Sequence, residues 1–279
     1  MTVVIGLHGK KKSGKTTFEG VARNIFPFYR LECIAFADAL KECCKYLAYK
    51  NKDCFDTQQG KGTVLSNVQI NLTEVCFDIV SFGFGYENCK QLGLYPINCM
   101  LKLQQVIRQT FPVKDLANGQ FQDIDFGGIT AGRLLQIMGT DICRNHIHPQ
   151  LWVNIIKNKI LSLNGRRDVI LVTDVREINE YEMLQSLETR VIRIQRTISS
   201  RNSNIPKEYK LSSISSRDDK LFSERISSWS EGDRLENHSS EVALDEVSMH
   251  TILNNGTLEE FQLAVKDFLI EFVSLLFLP

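Results

Sequence analysis

The chain opens with a short apolar stretch, "TVVIGL" at residues 2–7, which leads directly into a glycine- and lysine-rich turn. Gly9 and Gly14 bracket the turn, and Lys15 and Thr16 follow it. The spacing Gly-x-x-x-x-Gly-Lys-Thr, between a strand and a helix, is the phosphate-loop pattern. Its glycines let successive backbone N–H groups converge on one anion beside a helix N-terminus. The sequence therefore predicts a buried strand, an anion-binding turn and a helix, in that order.

Apolar strands and helical segments alternate along much of the remaining chain. Five β-branched runs without polar alternation predict buried strands, at residues 2–7, 32–36, 168–174, 190–194 and 250–254. Helices are predicted near residues 15–25, 38–50, 177–187 and 257–272. Strands that alternate with helices indicate a parallel sheet with right-handed crossovers. We therefore expect an α/β fold.

Two regions depart from this alternation. Residues 51–128 are rich in Asn, Gln, Gly and Phe, which predicts an irregular insertion with one helix near 100–111. Residues 197–240 are rich in Ser, Arg and Asp and can bury little apolar surface. They predict either a surface loop or a lid that brings Arg196 and Arg201 to a transferring phosphoryl group. The expected organisation is one domain, residues 1–279, with its core in 1–50, 129–196 and 241–279.

Composition limits the classes of partner. The 33 basic and 33 acidic residues cancel, so the chain has no overall attraction to nucleic acid. The eight cysteines form no Cys-x-x-Cys pair and no secretory signal precedes them, which predicts reduced thiols in a cytoplasmic protein. The apolar stretch "FLIEFVSLLFLP" falls short of the roughly 20 residues that span a membrane. It predicts a helix packed on the core rather than a membrane anchor.

Charged residues follow two of the predicted strands. Asp38 and Lys41 come after the second strand, and Asp174 and Arg176 come after the third. In open parallel sheets, ligands bind beside the carboxyl ends of the strands. An acidic residue there can hold Mg²⁺ through water, and an arginine can bind phosphate with a bidentate fork. For Asp38 and Lys41 the alternative is a helix cap with an exposed lysine. For Asp174 and Arg176 it is a surface ion pair.

A further helix is predicted from about residue 131 to 145. Its apolar stripe is formed by Leu134, Leu135, Met138 and Ile142, and its polar stripe by Arg133, Gln136, Thr140 and Arg144. Two arginines and an amide on one face suit a phosphate and a base edge; an ordinary solvated face is the alternative. His146 and His148 have no Cys or acidic partners at ligand spacing, so we predict no metal site there.

The turn itself has the residues for a nucleoside triphosphate such as ATP. Lys15 can reach the β- and γ-phosphates, and the Thr16 hydroxyl suits Mg²⁺. The predicted ATP-binding residues are Gly9, Lys10, Lys11, Lys12, Ser13, Gly14, Lys15, Thr16 and Thr17. A lysine-rich solvent turn that matches the pattern by chance is the alternative, and the flanking strand and helix argue against it.

Six stretches together resemble the deoxynucleoside monophosphate kinases of bacteriophages and large viruses. They are "HGKKKSGKTT", "FADALKE", "GRLLQIMGTDICRNHIHPQLWV", "VTDVREINEYEML", "HSSEVALDE" and "NNGTLEEF", in the family's order. The resemblance implies the three-layer fold of phosphate-loop nucleoside monophosphate kinases, with helices on both faces of five parallel strands. The phosphate-loop strand would be central, between the strands that end at Asp174 and Ile194. Thr16 stands where relatives often carry an acidic residue, so the resemblance does not determine which residues bind the metal.

The resemblance also implies an activity, Mg·ATP-dependent phosphoryl transfer to a deoxynucleoside 5′-monophosphate for dNTP supply. The partners would be ATP and the monophosphate, with no nucleic acid and no membrane, in the host cytoplasm if the chain is viral; a homodimer is one expected state. The implied catalytic residues are Lys15, Arg144, Arg176, Arg196 and Arg201. The implied acceptor residues are Asp38, Lys41, Arg133, Gln136, Arg144, Trp152 and Arg176, with Thr16 and Asp174 at the metal. The alternatives are a phosphomevalonate-kinase-like enzyme and a nucleotide-binding switch without turnover.

Overall fold

The structure is a computed structural model. It describes residues 2–10, 12–27, 29–57, 59–117, 119–196, 244–247 and 249–276. The predicted lid, 197–240 with Arg201, lies outside the described residues, and so does Lys11. The chain divides into two compact units, a first unit of residues 1–33 and 165–279 and a second unit of residues 34–164.

The regular elements follow the predicted alternation at both ends of the chain. In order they are β1 (Val3–His8), α1 (Lys15–Ile25), β2 (Leu31–Ile34), α2 (Phe36–Ala48), β3 (Val68–Ile70), α3 (Leu72–Asp78), α4 (Tyr86–Gln91), α5 (Pro96–Thr110), β4 (Val113–Asp115), β5 (Gln122–Ile124), α6 (Ala131–Gln136), α7 (Leu151–Leu163), β6 (Val169–Val175), α8 (Ile178–Ser186), β7 (Arg190–Gln195), β8 (His250–Leu253) and α9 (Leu258–Leu276). Two π-helical segments, Ile79–Gly85 and Ile137–Ile147, continue α3 and α6.

The first unit is built on the predicted five-stranded parallel sheet. Its strand order is β2-β6-β1-β7-β8, so the strand before the phosphate loop is central and lies between β6 and β7. Residue Val3 of β1 pairs with Val169 of β6, and Leu7 of β1 pairs with Ile192 of β7. The α/β fold and the central position of β1 are therefore confirmed. Buried β-branched runs made β1, β6 and β7 recognisable, whereas β2 and β8 have four residues each, of which only one is buried.

Helices cover both faces of this sheet. On one face, α1 and α9 bury Phe18 and Val265 against alternate residues of the strands, such as Ile5. On the other face Leu184 of α8 lies so close to β1 that a Cβ on Gly6 would stand 3.0 Å from its Cδ1. The prediction that the C-terminal helix packs on the core is confirmed. Within the described part of the chain, none of the helices combines the length and apolarity that crossing a membrane requires.

The second unit corrects the prediction for residues 51–128. That segment is not irregular with a single helix, because it contains α3, α4, α5 and a small antiparallel sheet in the order β3-β5-β4. The three strands have three residues each, which is too short for a periodic pattern to be recognised. Residues 34–50 and 129–164 fall in the same unit as this segment.

The helix predicted over 131–145 differs from the observed one in its winding. After α6 the chain continues to Ile147 as a π-helical segment, which rotates the buried face relative to a regular α-helix. Met138 and Ile142 are buried as predicted, whereas Leu135 is only half-buried. Gly139 makes close packing possible here, since a Cβ on it would lie 2.8 Å from Leu40 Cδ2.

The cysteines are predominantly core residues. All eight are free, and six are buried: Cys43, Cys44, Cys76, Cys89, Cys99 and Cys143. Burial raises the pKa of the Cys43 and Cys143 thiols well above the usual range. These two side chains are therefore neutral and pack as small apolar groups.

We predict that Phe18→Ala lowers the free energy of unfolding by about 3–5 kcal/mol, because it leaves a cavity between the sheet and α9. Phe18 is fully buried, and its ring centroid lies 6.4 Å from that of Phe268. Urea unfolding of both proteins would measure the difference. Phe77→Ala, at a half-exposed phenylalanine of the second unit, is the matched control. Similar losses for the two variants would contradict the assigned packing.

Candidate active site

The turn between β1 and α1 requires glycine at both bracketing positions. Gly14 has a φ of +118°, which side-chain-bearing residues rarely adopt, and it directly precedes the first residue of α1. A Cβ on Gly9 would lie 2.6 Å from the carbonyl oxygen of Ile194. The backbone is thus shaped as an anion-binding turn at a helix N-terminus.

Lysine side chains lie along this turn in different environments. The Lys15 ammonium group donates to the carbonyl of Gly9 and, at 3.2 Å, to that of Lys10. The Lys10 ammonium forms an ion pair with Asp245 at 2.7 Å. Lys12 is exposed. Lys15 therefore lies against the curve of the turn, where a phosphate-binding lysine would be expected.

Other predicted residues of the first unit lie at the same edge of the sheet. His8, the last residue of β1, pairs with Val175 of β6 and with Arg193 of β7. Because these strands are parallel, Asp174 and Arg176 at the end of β6 lie near the start of the turn, and Arg196 directly follows β7. The sheet thus places Asp174, Arg176 and Arg196 at the edge where the turn that leads to Lys15 begins, and a shared role in catalysis stays a prediction.

A buried carboxylate fixes the backbone after β6. Glu180 accepts hydrogen bonds from the N–H groups of Arg176 at 2.8 Å and Glu177 at 3.1 Å, which caps the start of α8. The N-terminal dipole of the helix favours this negative charge. Arg176 is therefore presented on a capped, ordered turn rather than on a free loop.

His8 was not identified as a site residue from the sequence. The residue is 4% exposed, and its Nδ1 donates to the carbonyl of Val175 at 2.9 Å. Burial lowers the pKa of His8, and the positive charges of Arg193 and Lys15 lower it further, against the opposing effects of Val175 and Asp245. A neutral imidazole therefore lies under the phosphate loop. In the sequence, a single histidine at the end of an apolar strand does not stand out as a site residue.

Residues 244–247 and 249–254 contribute contacts that were also missed. Arg193 donates to the carbonyls of Leu244 and Val247, the latter at 2.9 Å, which holds the chain beside Asp245. Asn254 donates from Nδ2 to the Ser13 carbonyl at 2.7 Å. A sequence signal for Asp245 and Asn254 was present, since they fall in two stretches that resemble the kinase family, "HSSEVALDE" and "NNGTLEEF". The sequence alone did not assign these side chains a role.

The second unit contains most of the predicted acceptor residues. The Asp38 carboxylate accepts from the N–H of Ala35 at 2.8 Å and pairs with Lys41 at 3.1 Å. These contacts are the ones expected if Asp38 only caps the helix and Lys41 is a surface lysine, which is the alternative to an acceptor role. They do not preclude a ligand contact, because both side chains keep some exposure. An acceptor role for Asp38 and Lys41 stays a prediction.

The remaining predicted acceptor residues of this unit differ in exposure. Arg133 donates to Gln136 Oε1 at 3.0 Å, and both are half-buried, as is Arg144 on the π-helical segment. Trp152 is 1% exposed, and its Nε1 donates to the Gly139 carbonyl at 3.0 Å. The position of the indole is explained by packing, and its contact with an acceptor stays a prediction.

Comparison with known proteins decides the family. The sequence profile described as "Deoxynucleotide monophosphate kinase" matches residues 3–212 of the chain. The chain belongs to this family. The predicted resemblance is confirmed, and the chain is a kinase. It is 25% identical over 193 residues to the deoxynucleoside-5′-monophosphate kinase of Escherichia phage T5, a match that covers 66% of this chain and 72% of the phage protein.

A solved structure is also similar to the kinase. It is dephospho-CoA kinase from Campylobacter jejuni, with a TM-score of 0.43, 10% sequence identity and coverage of 98% of each chain. The order and direction of the strands themselves define the α/β fold of this chain.

The side chains of this kinase fit a magnesium ion at the predicted position. Thr16 is exposed in the first turn of α1, and Asp174 is half-buried at the end of β6. A hydroxyl and one carboxylate are hard oxygen donors, the set with which Mg²⁺ is held together with substrate phosphates and water. The described residues contain no group of three His, Cys, Asp or Glu side chains that could hold a metal by themselves. The donor set therefore suits a metal that is bound together with nucleotide.

We predict that His8 makes the kinase less stable in mild acid. Since the folded-state pKa is lowered, the unfolded chain binds a proton first as the pH falls below about 6.5, and stability drops by up to about 1.4 kcal/mol per pH unit. Above that pH the histidine is neutral in both the folded and the unfolded state, so it does not change the free energy of unfolding with pH. Urea unfolding at pH 7.0 and 5.5 measures the effect.

His8→Gln should lose less stability than the wild type between those two pH values, because it does not titrate and can still donate to Val175. His146→Gln makes the same substitution at an exposed position of the second unit and is the matched control. If His8→Gln lost as much stability as the wild type between pH 7.0 and 5.5, His8 would not be the cause of the acid sensitivity.

Proposed function

We propose that the chain transfers the γ-phosphoryl group of Mg·ATP to a deoxynucleoside 5′-monophosphate and releases ADP and the diphosphate, for dNTP supply. The observation that carries the proposal is the shaped turn after β1, with Lys15 in its curve and with Asp174 and Arg176 at the same sheet edge. The family of the chain and the name of its phage T5 relative support the choice of acceptor.

The reaction asks the protein for positioning and charge neutralisation. An oxygen of the acceptor phosphate attacks the γ-phosphorus, and the bond from that phosphorus to the β,γ-bridging oxygen breaks, so ADP leaves with the electron pair. The attacking oxygen is already anionic, so no general base is needed. Backbone N–H groups of the turn, Lys15 and Arg176 stabilise charge on the transferring group. Mg²⁺, held by Thr16 and Asp174, would neutralise phosphate charge when bound.

For the acceptor we propose the cationic and polar side chains of the second unit. Arg133 and Arg144 suit a dianionic monophosphate, because a guanidinium group can donate two parallel hydrogen bonds to it. Gln136, which accepts from Arg133, orients that arginine and has an amide for a base edge. Arg196 of the first unit and Arg201 are proposed to contact the transferring phosphoryl group.

The test is ADP release in a coupled assay with Mg·ATP and each of dTMP, dGMP, dCMP, dAMP and phosphomevalonate. Turnover with one or more deoxynucleotides is expected and would define the base preference. Turnover with phosphomevalonate alone would contradict the proposed acceptor. ATP binding without turnover on any acceptor would favour a nucleotide-binding switch.

We predict that Lys15→Ala and Arg176→Ala each lower kcat by about two orders of magnitude or more, because each removes charge stabilisation from the transition state. Steady-state kinetics and melting curves would be measured together. Lys266→Ala and Arg23→Ala, at exposed positions of α9 and α1, are matched controls that remove the same charges. Near-normal turnover of Lys15→Ala or Arg176→Ala, with an unchanged melting curve, would exclude the role of that residue.

The proposed partners are small molecules. The balanced charge argues against a groove for a nucleic-acid strand, and absence of single-stranded DNA binding at low salt is expected. We propose cytoplasmic action, and a homodimer as the assembly.

A further inference from the structure

The Asn254 side chain connects the end of β8 to the phosphate loop. Its backbone N–H donates to the carbonyl of Gln195 at 2.7 Å, which anchors the residue to the end of β7. Its Nδ2 donates to the carbonyl of Ser13, also at 2.7 Å. A Cβ on Gly14 would stand 2.6 Å from the same nitrogen. The amide group therefore lies against both residues of the Ser13–Gly14 peptide.

This peptide needs an external contact to fix its orientation. Glycine rotates freely about φ and ψ, so the peptide before Gly14 could turn either its N–H or its carbonyl toward an anion. The neighbouring Ser13 hydroxyl does not hold it, because Oγ is buried and has no hydrogen-bond partner within the described residues. The Asn254 amide is therefore the contact that holds the Ser13 carbonyl.

Holding the carbonyl also directs the N–H. In a planar trans peptide the C=O and N–H bonds point in opposite directions. With the Ser13 oxygen bound by Asn254, the Gly14 N–H points away from Asn254. Turns that bind anions work by aiming consecutive N–H groups at the anion, and a single reversed peptide would place a carbonyl oxygen against it instead.

We propose that Asn254 is a positioning residue for ATP, which keeps the Gly14 N–H directed at the nucleotide phosphates. This inference rests on the proposed function, because it assumes that the loop binds ATP. Asn254 acts through the Ser13–Gly14 peptide and need not touch the nucleotide. Two substitutions separate its contributions: Asn254→Ala removes the donor, and Asn254→Asp places a carboxylate oxygen against the Ser13 carbonyl.

The experiment measures the Kd of Mg·ATP, kcat, and the KM of each substrate for the wild type and both variants. Loss of one such hydrogen bond should raise the Kd and KM of ATP about tenfold in Asn254→Ala, and more in Asn254→Asp, where two acceptors face each other. The KM of the acceptor should stay within twofold of the wild-type value. Asn24→Asp, at an exposed position of α1, adds the same charge and should bind ATP normally.

A spectroscopic signature distinguishes positioning from general stability. In the wild type, the ¹H–¹⁵N signal of the Gly14 amide should shift strongly when ATP binds, and this shift should be much smaller in Asn254→Ala. Wild-type ATP affinity in both variants, with the Gly14 shift retained, would overturn the inference and leave the proposed function intact. Failure of the wild type to bind ATP would instead defeat the proposed function. Loss of the folded state in both variants would also overturn the inference, since Asn254 would then be a structural residue of β8.

Discussion

The parallel pairing of β1 with both β6 and β7 is the constraint on which the candidate site depends. His8 is opposite Val175 on one side and Arg193 on the other, so the carboxyl ends of three strands meet where the phosphate loop begins. Chain segments more than 150 residues apart in sequence are brought to one edge in this way, as the His8–Val175 contact shows with a separation of 167 residues. Each strand end then needs only one or two polar residues to complete a charged site. The apolar strands build the sheet, and the first residues after them supply the chemistry.

Positive charge at this edge is concentrated but compensated. Asp245 pairs with Lys10, backbone carbonyls accept from Lys15 and Arg193, and the histidine beneath the loop is neutral. A protonated His8 would add a charge beside two cations in a buried position, where water cannot screen it. The loop can therefore attract an anion, and the partners of its cations offset the repulsion among them.

Much of this arrangement could be predicted from the sequence, because the relevant signals are local. Buried β-branched runs identify β1, β6 and β7, and the glycine spacing identifies the turn between β1 and α1. The second unit was harder to predict, since β3, β4 and β5 are too short to show alternation, and a π-helical segment breaks the helical period after Gln136. Asn254 and Asp245 were missed for a different reason. Their roles depend on which strand end lies beside which turn, and only the assembled sheet determines that.

The contacts of the phosphate loop also give the protein a temporal order of assembly. Ser13 depends on Asn254, 241 residues later, and Lys10 pairs with Asp245, 235 residues later. At a synthesis rate of about 5–20 residues per second, the loop leaves the ribosome on the order of ten to fifty seconds before these partners exist. Through that interval the nascent chain carries the nucleotide motif without the contacts that shape it. A fragment that ends before β8 therefore lacks a finished loop, although the motif itself is complete.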